Sequence, residues 1–133
     1  MIKGGCLCGA VRYQADGEPL FGVHCYCRDC QRTSGTGHVP VLGMRRELFS
    51  FTGRTASYAT IGISKGKAVR YFCPVCGSLL FGMPEVAPNM VSLYVGSLDD
   101  PSMFVPSMVV FASQRHDWDR LAAPLPEFNT LPP

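Results

Sequence analysis

The sequence predicts a single, mainly β domain spanning residues 1–133, and three observations carry that expectation. Fourteen glycines and eleven prolines in 133 residues leave few stretches long enough for a helix of several turns. The runs between these breaks are short and rich in β-branched and aromatic residues. All seven cysteines fall into tight clusters, Cys6-x-Cys8, Cys25-x-Cys27-x-x-Cys30 and Cys73-x-x-Cys76. Thiols placed by packing scatter along a chain, whereas metal ligands come in chelating groups.

Taken in order, the predicted strands are Ala10–Gln14, Leu20–Cys25, His38–Leu42, Ser50–Thr52, Thr55–Thr60, Lys67–Phe72, Ser78–Phe81, Met90–Val95 and Met108–Ala112. Val11 and Tyr13 alternate with Arg12 and Gln14, and Val69 and Tyr71 flank Arg70. Such alternation suits half-buried antiparallel strands and puts Arg70 on the solvent side. One or two helical turns are expected over Arg28–Ser34, stopped at Gly35 by a left-handed cap. A shorter helical stretch is expected over Arg45–Leu48. The last ten residues contain Pro124, Pro126, Pro132 and Pro133 and read as an extended tail over the body.

Composition narrows the function classes. Hydrophobic residues make up 47% of the chain and charged residues 17%, as in an ordinary globular domain. No apolar run approaches the roughly 20 residues needed to cross a bilayer, and no apolar stretch precedes Cys6, so neither a membrane span nor a secretory signal is expected. That points to the cytoplasm, where an odd number of cysteines argues against a disulfide framework. The formal charge is +2 with thiols counted as neutral. Seven thiolates with two divalent ions lower it by three, to −1, which makes nucleic acid an unfavoured partner. A local patch at Arg45, Arg46 and Arg54 is the one feature pointing the other way.

The strongest local signal is Cys73-Pro74-Val75-Cys76-Gly77, a zinc knuckle in which a tight turn directs two thiolates inward and Gly77 supplies the permissive dihedral. Cys6 and Cys8 are its natural complement, because residues i and i+2 of an extended segment face one side. The four together make a closed, structural site. Cys25, Cys27 and Cys30 then supply three thiolates and leave one position open, the arrangement of a site that handles substrate. His24 or His38 could instead close that shell, or move protons beside it. Spacing also admits another division, with Cys27 and Cys30 joined to Cys73 and Cys76.

Three segments resemble one known family. They are Gly4-Gly5-Cys6-Leu7-Cys8-Gly9-Ala10-Val11-Arg12-Tyr13, then His24-Cys25-Tyr26-Cys27-Arg28-Asp29-Cys30-Gln31-Arg32-Thr33-Ser34-Gly35, then Phe72-Cys73-Pro74-Val75-Cys76-Gly77-Ser78. With the closing Ser113–Trp118 and Leu125–Phe128, the chain is similar to the glutathione-dependent formaldehyde-activating enzymes, a family that also includes centromere protein V. The resemblance implies an Mss4-like β-tent of twisted antiparallel sheets. It implies a structural zinc on Cys6, Cys8, Cys73 and Cys76, and a second, catalytic-type zinc on Cys25, Cys27 and Cys30. It further implies carbon–sulfur lyase or synthase chemistry on a small thiol such as glutathione, with formaldehyde or another aldehyde as its carbonyl partner.

A glutathione-like substrate carries two carboxylates, for which arginine forks are the expected partners. Arg28 and Arg32 flank the middle cluster and are the first candidates. Trp118 is expected in the core or in a pocket wall. Two competing functions stand beside this one. A non-enzymatic zinc module would bind a protein or nucleic acid. A thiol redox enzyme would need a free cysteine of low pKa, and none remains if both metal sites are filled. The apolar Met103–Phe111 stretch and exposed strand edges make a homodimer plausible.

Overall fold

A computed structural model describes all 133 residues. Ten strands form two sheets. The smaller contains β1 (Ile2–Gly5), β2 (Arg12–Ala15) and β5 (Phe49–Thr52) in the order β1-β2-β5, all antiparallel. The larger is built from β3 (Phe21–Cys25), β4 (Val39–Arg45), β6 (Ala56–Ile61), β7 (Lys67–Phe72), β8 (Leu79–Pro84), β9 (Met90–Tyr94) and β10 (Met108–Val110). Its order is β10-β3-β4-β9-β8-β7-β6, and only the β10–β3 pair is parallel. No helix is long and apolar enough to cross a membrane.

Each predicted strand is present, with ends shifted by up to three residues. The helix α1 occupies Arg28–Ser34, and Gly35 closes it at φ +75°. A 3-10 turn at Arg46–Leu48 occupies most of the second expected helical stretch. Strand β1 is the element that sequence reasoning missed. Its residues, Ile-Lys-Gly-Gly, carry neither alternation nor β-branched enrichment, and the strand exists because Gly4 and Gly5 pair with Tyr13 and Arg12.

Two apolar cores explain the layering. The larger lies between the sheets and joins Val11, Tyr13 and Phe49 of the small sheet to Met44, Phe81 and Leu93 of the large one. Cys6 and Cys73 belong to this core. The second covers the opposite face of the large sheet, with Val23, Val39, Val41, Tyr94 and Val110 packed around Cys25 and Cys30. Strands β4 and β9 therefore bury both faces: Leu42 and Val41, like Leu93 and Tyr94, point into different cores. Truncating a fully buried residue such as Leu93 to alanine should cost about 2–5 kcal/mol.

The tail returns as an added layer beside β10. The N–H of Val109 donates to the Pro126 carbonyl at 2.8 Å, and that of Phe128 to the Val109 carbonyl at 2.9 Å. Phe111 and Ala112 continue the pairing through Thr130 and Phe128. Arg115 adds an ion pair with Glu127 at 2.6 Å. This anchoring carries Leu131 to the wall of the clefts described next.

Candidate metal centres and the cleft beside them

The fold sorts the seven cysteines into two groups, Cys6, Cys8, Cys73 and Cys76, and Cys25, Cys27 and Cys30. Within each group the sulfurs all lie within 4.8 Å of one another. The alternative division of Cys27 and Cys30 with Cys73 and Cys76 does not occur. All seven are free thiols.

The first group is made by two turns. The knuckle closes with the Gly77 N–H donating to the Cys73 carbonyl at 2.8 Å, and Gly77 takes φ +76°. The Cys6–Cys8 segment was expected to be extended, but it is a turn too. The Gly9 N–H donates to the Cys6 carbonyl at 3.1 Å, and Gly9 takes φ +81°. A turn brings the two sulfurs together at 3.6 Å, closer than the near 7 Å repeat of alternate residues on a strand allows. Backbone N–H groups aim at sulfur: Val11 at Cys6 (3.2 Å) and Val75 at Cys73 (3.4 Å). The Ser78 hydroxyl lies 3.2 Å from Cys76 Sγ and is the first cause pulling that thiol down to about 5.

These contacts fit a thiolate-bound metal. With metal–sulfur bonds of about 2.3 Å, a tetrahedral site has sulfur–sulfur edges of about 3.8 Å. The Cys6–Cys8 and Cys8–Cys73 separations are 3.6 and 3.7 Å, and Cys25–Cys30 is 3.6 Å. Both groups could therefore hold a metal ion, with a donor set suited to zinc.

The second group sits where β3 runs into α1. Cys25 ends the strand, Cys27 caps the helix by accepting from the Cys30 N–H at 3.3 Å, and Cys30 lies one turn in. Hydrogen bonds from the Cys25 and Cys30 thiols bring Cys27 down to about 3, with help from the Cys30 N–H and the Arg70 charge. Cys25 is pushed far up, first by Cys27 and then by Cys30. Crowding of the three thiols thus favours keeping protons on Cys25 and Cys30. A divalent ion displaces those protons when it binds.

Two clefts meet at this cluster. One, of about 570 Å³, is bordered by Cys25, Cys27, Cys30, Arg28, Arg70 and Gln114. The other, of about 190 Å³, is mostly apolar and runs from Cys25 and Cys30 past Val41, Met83, Tyr94 and Phe111. Leu131 and Phe111 border both. Phe111 reaches them from a left-handed backbone conformation, φ +55°, a strained state for a bulky residue that the surrounding packing must hold.

Arg28 borders the larger cleft, donating from its side chain to Gln31 Oε1 and from its backbone to Gln114 Oε1 at 2.7 Å. Arg32 is exposed and borders neither cleft. His24 and His38 stand apart from the sulfurs. Their rings meet each other at 4.9 Å, and His38 Nδ1 pairs with Asp119 at 2.7 Å. Neither borders the clefts or joins the three-sulfur group, so neither closes its shell. His116 Nε2 is 3.0 Å from Gln31 Oε1, its ring stacked on Trp118. Trp118 is 74% exposed, neither core nor cleft wall, because it lies over Gly37 at the surface.

Arg70 is the residue beside the cluster that sequence reasoning passed over. Alternation placed it toward solvent, yet it is 9% exposed, while Val69 and Tyr71 on either side are only half-buried. The outer face of β7 is not solvent: it borders both clefts. The Arg70 Nη2 donates toward Cys30 Sγ at 3.7 Å, a partner 40 residues away that no local pattern reveals.

Residues 1–114 match the profile of the family described as glutathione-dependent formaldehyde-activating enzyme. A crystal structure of a Rhodobacter sphaeroides protein, a structural-genomics target, is similar in fold, with a TM-score of 0.59 at 23% identity. The match covers 78% of this chain and 97% of that one.

Proposed function

The chain belongs to the glutathione-dependent formaldehyde-activating enzyme family, and from that premise we propose that it is a zinc-dependent carbon–sulfur lyase or synthase. In this reading it joins a small thiol such as glutathione to formaldehyde or a similar aldehyde. The observation that carries the reading is the placement of three converging sulfurs, Cys25, Cys27 and Cys30, in the wall of a 570 Å³ cleft. Three thiolates would leave one tetrahedral position of a bound metal free for a ligand.

The reaction adds a thiol across a carbonyl. A carbon–sulfur bond forms, the carbonyl π bond breaks, and the proton lost from sulfur is gained by oxygen; the reverse step regenerates both partners. Zinc held by the three cysteines would supply positive charge that favours the thiolate at neutral pH and polarises the carbonyl oxygen. The chain's own residues do the rest. The Cys30 N–H fixes Cys27, and Arg28 and Gln114 offer polar contacts at the cleft border for the carboxylates and amides of a tripeptide. Leu131 and Phe111 add apolar surface to the cleft border.

Cys6, Cys8, Cys73 and Cys76 take the structural role in this proposal. They tie the chain start to the β7–β8 turn beside the main core, and metal binding there contributes folding free energy.

The test is exchange of ¹³C-formaldehyde with its glutathione adduct, followed by two-dimensional NMR on protein shown by elemental analysis to carry two zinc ions. The expected result is exchange faster than the uncatalysed rate, abolished in Cys27→Ser. Equal exchange rates with and without the doubly loaded protein would refute the activity. A Cys27→Ser variant that keeps both its zinc and its rate would refute the assigned site.

A further inference from the structure

We propose that Arg70 is the fixed counter-charge of the three-sulfur cluster and that it tunes this site to accept an anionic fourth ligand, a substrate thiolate. The inference rests on the metal reading above and adds a positioning residue to it.

Arg70 lies mid-strand in β7 and is 9% exposed. Its Nη1 donates to Thr60 Oγ1 at 3.1 Å and its Nη2 points at Cys30 Sγ at 3.7 Å. Its Nε–H is buried with no partner. None of the five ion pairs of the protein includes it. A guanidinium cannot shed its proton in a protein, and burying one without an anion carries a heavy desolvation penalty.

The compensating charge must come from what faces it. Thr60 is neutral. Tyr94 is a phenol, which is neutral at neutral pH. That leaves Cys30, with Cys27 behind it in the same cluster. A cation left without a carboxylate and aimed at a thiolate cluster is placed for that cluster's charge.

Counting charges gives the consequence. Three thiolates and a divalent ion sum to −1, and a fourth, thiolate ligand would bring the site to −2. Repulsion would then favour neutral donors. Arg70 raises each total by one, so a neutral site receives the thiolate. At a separation of about 6 Å in a partly buried setting, one unit charge changes the affinity for an anion on the order of 10- to 100-fold. A neutral donor feels little of that difference.

The experiment uses the full chain loaded with Co²⁺, whose visible bands report each thiolate site, and two titrants. One is 2-mercaptoethanol, whose only charge on binding is its thiolate; the other is imidazole, a neutral donor. In the wild type both titrants are expected to shift the bands of the three-sulfur site. Arg70→Met should bind 2-mercaptoethanol about 10- to 100-fold more weakly and imidazole within about threefold of wild type, with the four-sulfur bands intact. Arg70→Lys, which keeps the charge, should stay within about threefold for both.

Equal loss of both ligands in Arg70→Met, or no loss of either, overturns the proposal while leaving the metal reading in place. A wild type that takes up a single cobalt overturns both together. If Arg70→Met does not fold, Arg70→Lys decides: a tenfold loss of thiol affinity refutes the role of charge.

Discussion

The two cysteine groups offer the same sulfur chemistry in opposite settings. The four-cysteine group is built from two turns, each finished by a glycine at positive φ, and two of its members belong to the main core. It has no open position and borders neither of the clefts at the other group. The three-cysteine group is built from a strand end and a short helix, opens onto a cleft, and has a buried cation beside it. Ligand identity alone therefore does not decide what a thiolate site does. The number of converging sulfurs, the space left over and the surrounding charge decide it.

Breaking each group should have unequal consequences, and the largest is at Cys73. This residue is fully buried in the main core, and a structural zinc held by its group would contribute about 10–16 kcal/mol of apparent binding energy, comparable with the whole stability of a small domain. Cys73→Ser is expected to lose its cooperative thermal transition, as read by circular dichroism. Cys27→Ser should remain folded and melt only a few degrees lower. Similar loss of structure in both variants would erase the contrast between the sites.

Chelation sharpens the same contrast at smaller scale. A chromophoric chelator added to the doubly loaded protein should take one equivalent in a fast phase with no change in far-ultraviolet circular dichroism. The second equivalent should leave slowly, together with the fold. Simultaneous release of both would mean that the open cleft gives no faster access.

Backbone strain comes next. Gly77 and Gly35 both adopt φ near +75° with open space where a Cβ would stand, so alanine at either position should cost about 1–2 kcal/mol by urea unfolding. Because Gly77 closes the knuckle and Gly35 only ends α1, slower metal loading is expected for Gly77→Ala alone.

The smallest effect concerns the tail that borders the clefts. Arg115 donates twice to Glu127 and holds its carboxyl below the ordinary range. A depressed carboxylate stabilises the fold above its unfolded pKa of about 4.3, and that contribution is lost as pH falls through the lower folded value. Glu127→Gln should therefore flatten the acid limb of Tm against pH slightly, since the pair is partly solvated. A large neutral-pH destabilisation would show that the tail holds more of the fold than its pairing with β10 suggests.

Much of this was legible in the chain. Strands announced themselves through alternation and glycine–proline punctuation, and α1 through its stop at Gly35. The glycine after Cys76 marked the knuckle, and the clustering of cysteines marked the candidate metal groups. Legibility failed where the deciding partner was remote. β1 needed β2 to become a strand. The turn at Cys6–Cys8 was set by the pairing of the Cys6 N–H with the Val11 carbonyl. His24 and His38 looked like candidates for the cysteine cluster until Asp119, far along the chain, claimed His38.

What the sequence determined by itself is therefore local: which segments extend, where they turn, and which residues carry metal-binding chemistry, because dihedral preference and chelate spacing act over a few residues. What only the tertiary structure decided is the company those residues keep. The four-plus-three division, the cleft at the open group and the inward turn of Arg70 depend on contacts between segments tens of residues apart. A strand residue points inward or outward according to what lies across from it, and at β7 a cleft lined with cysteine sulfurs lies where the pattern implied water.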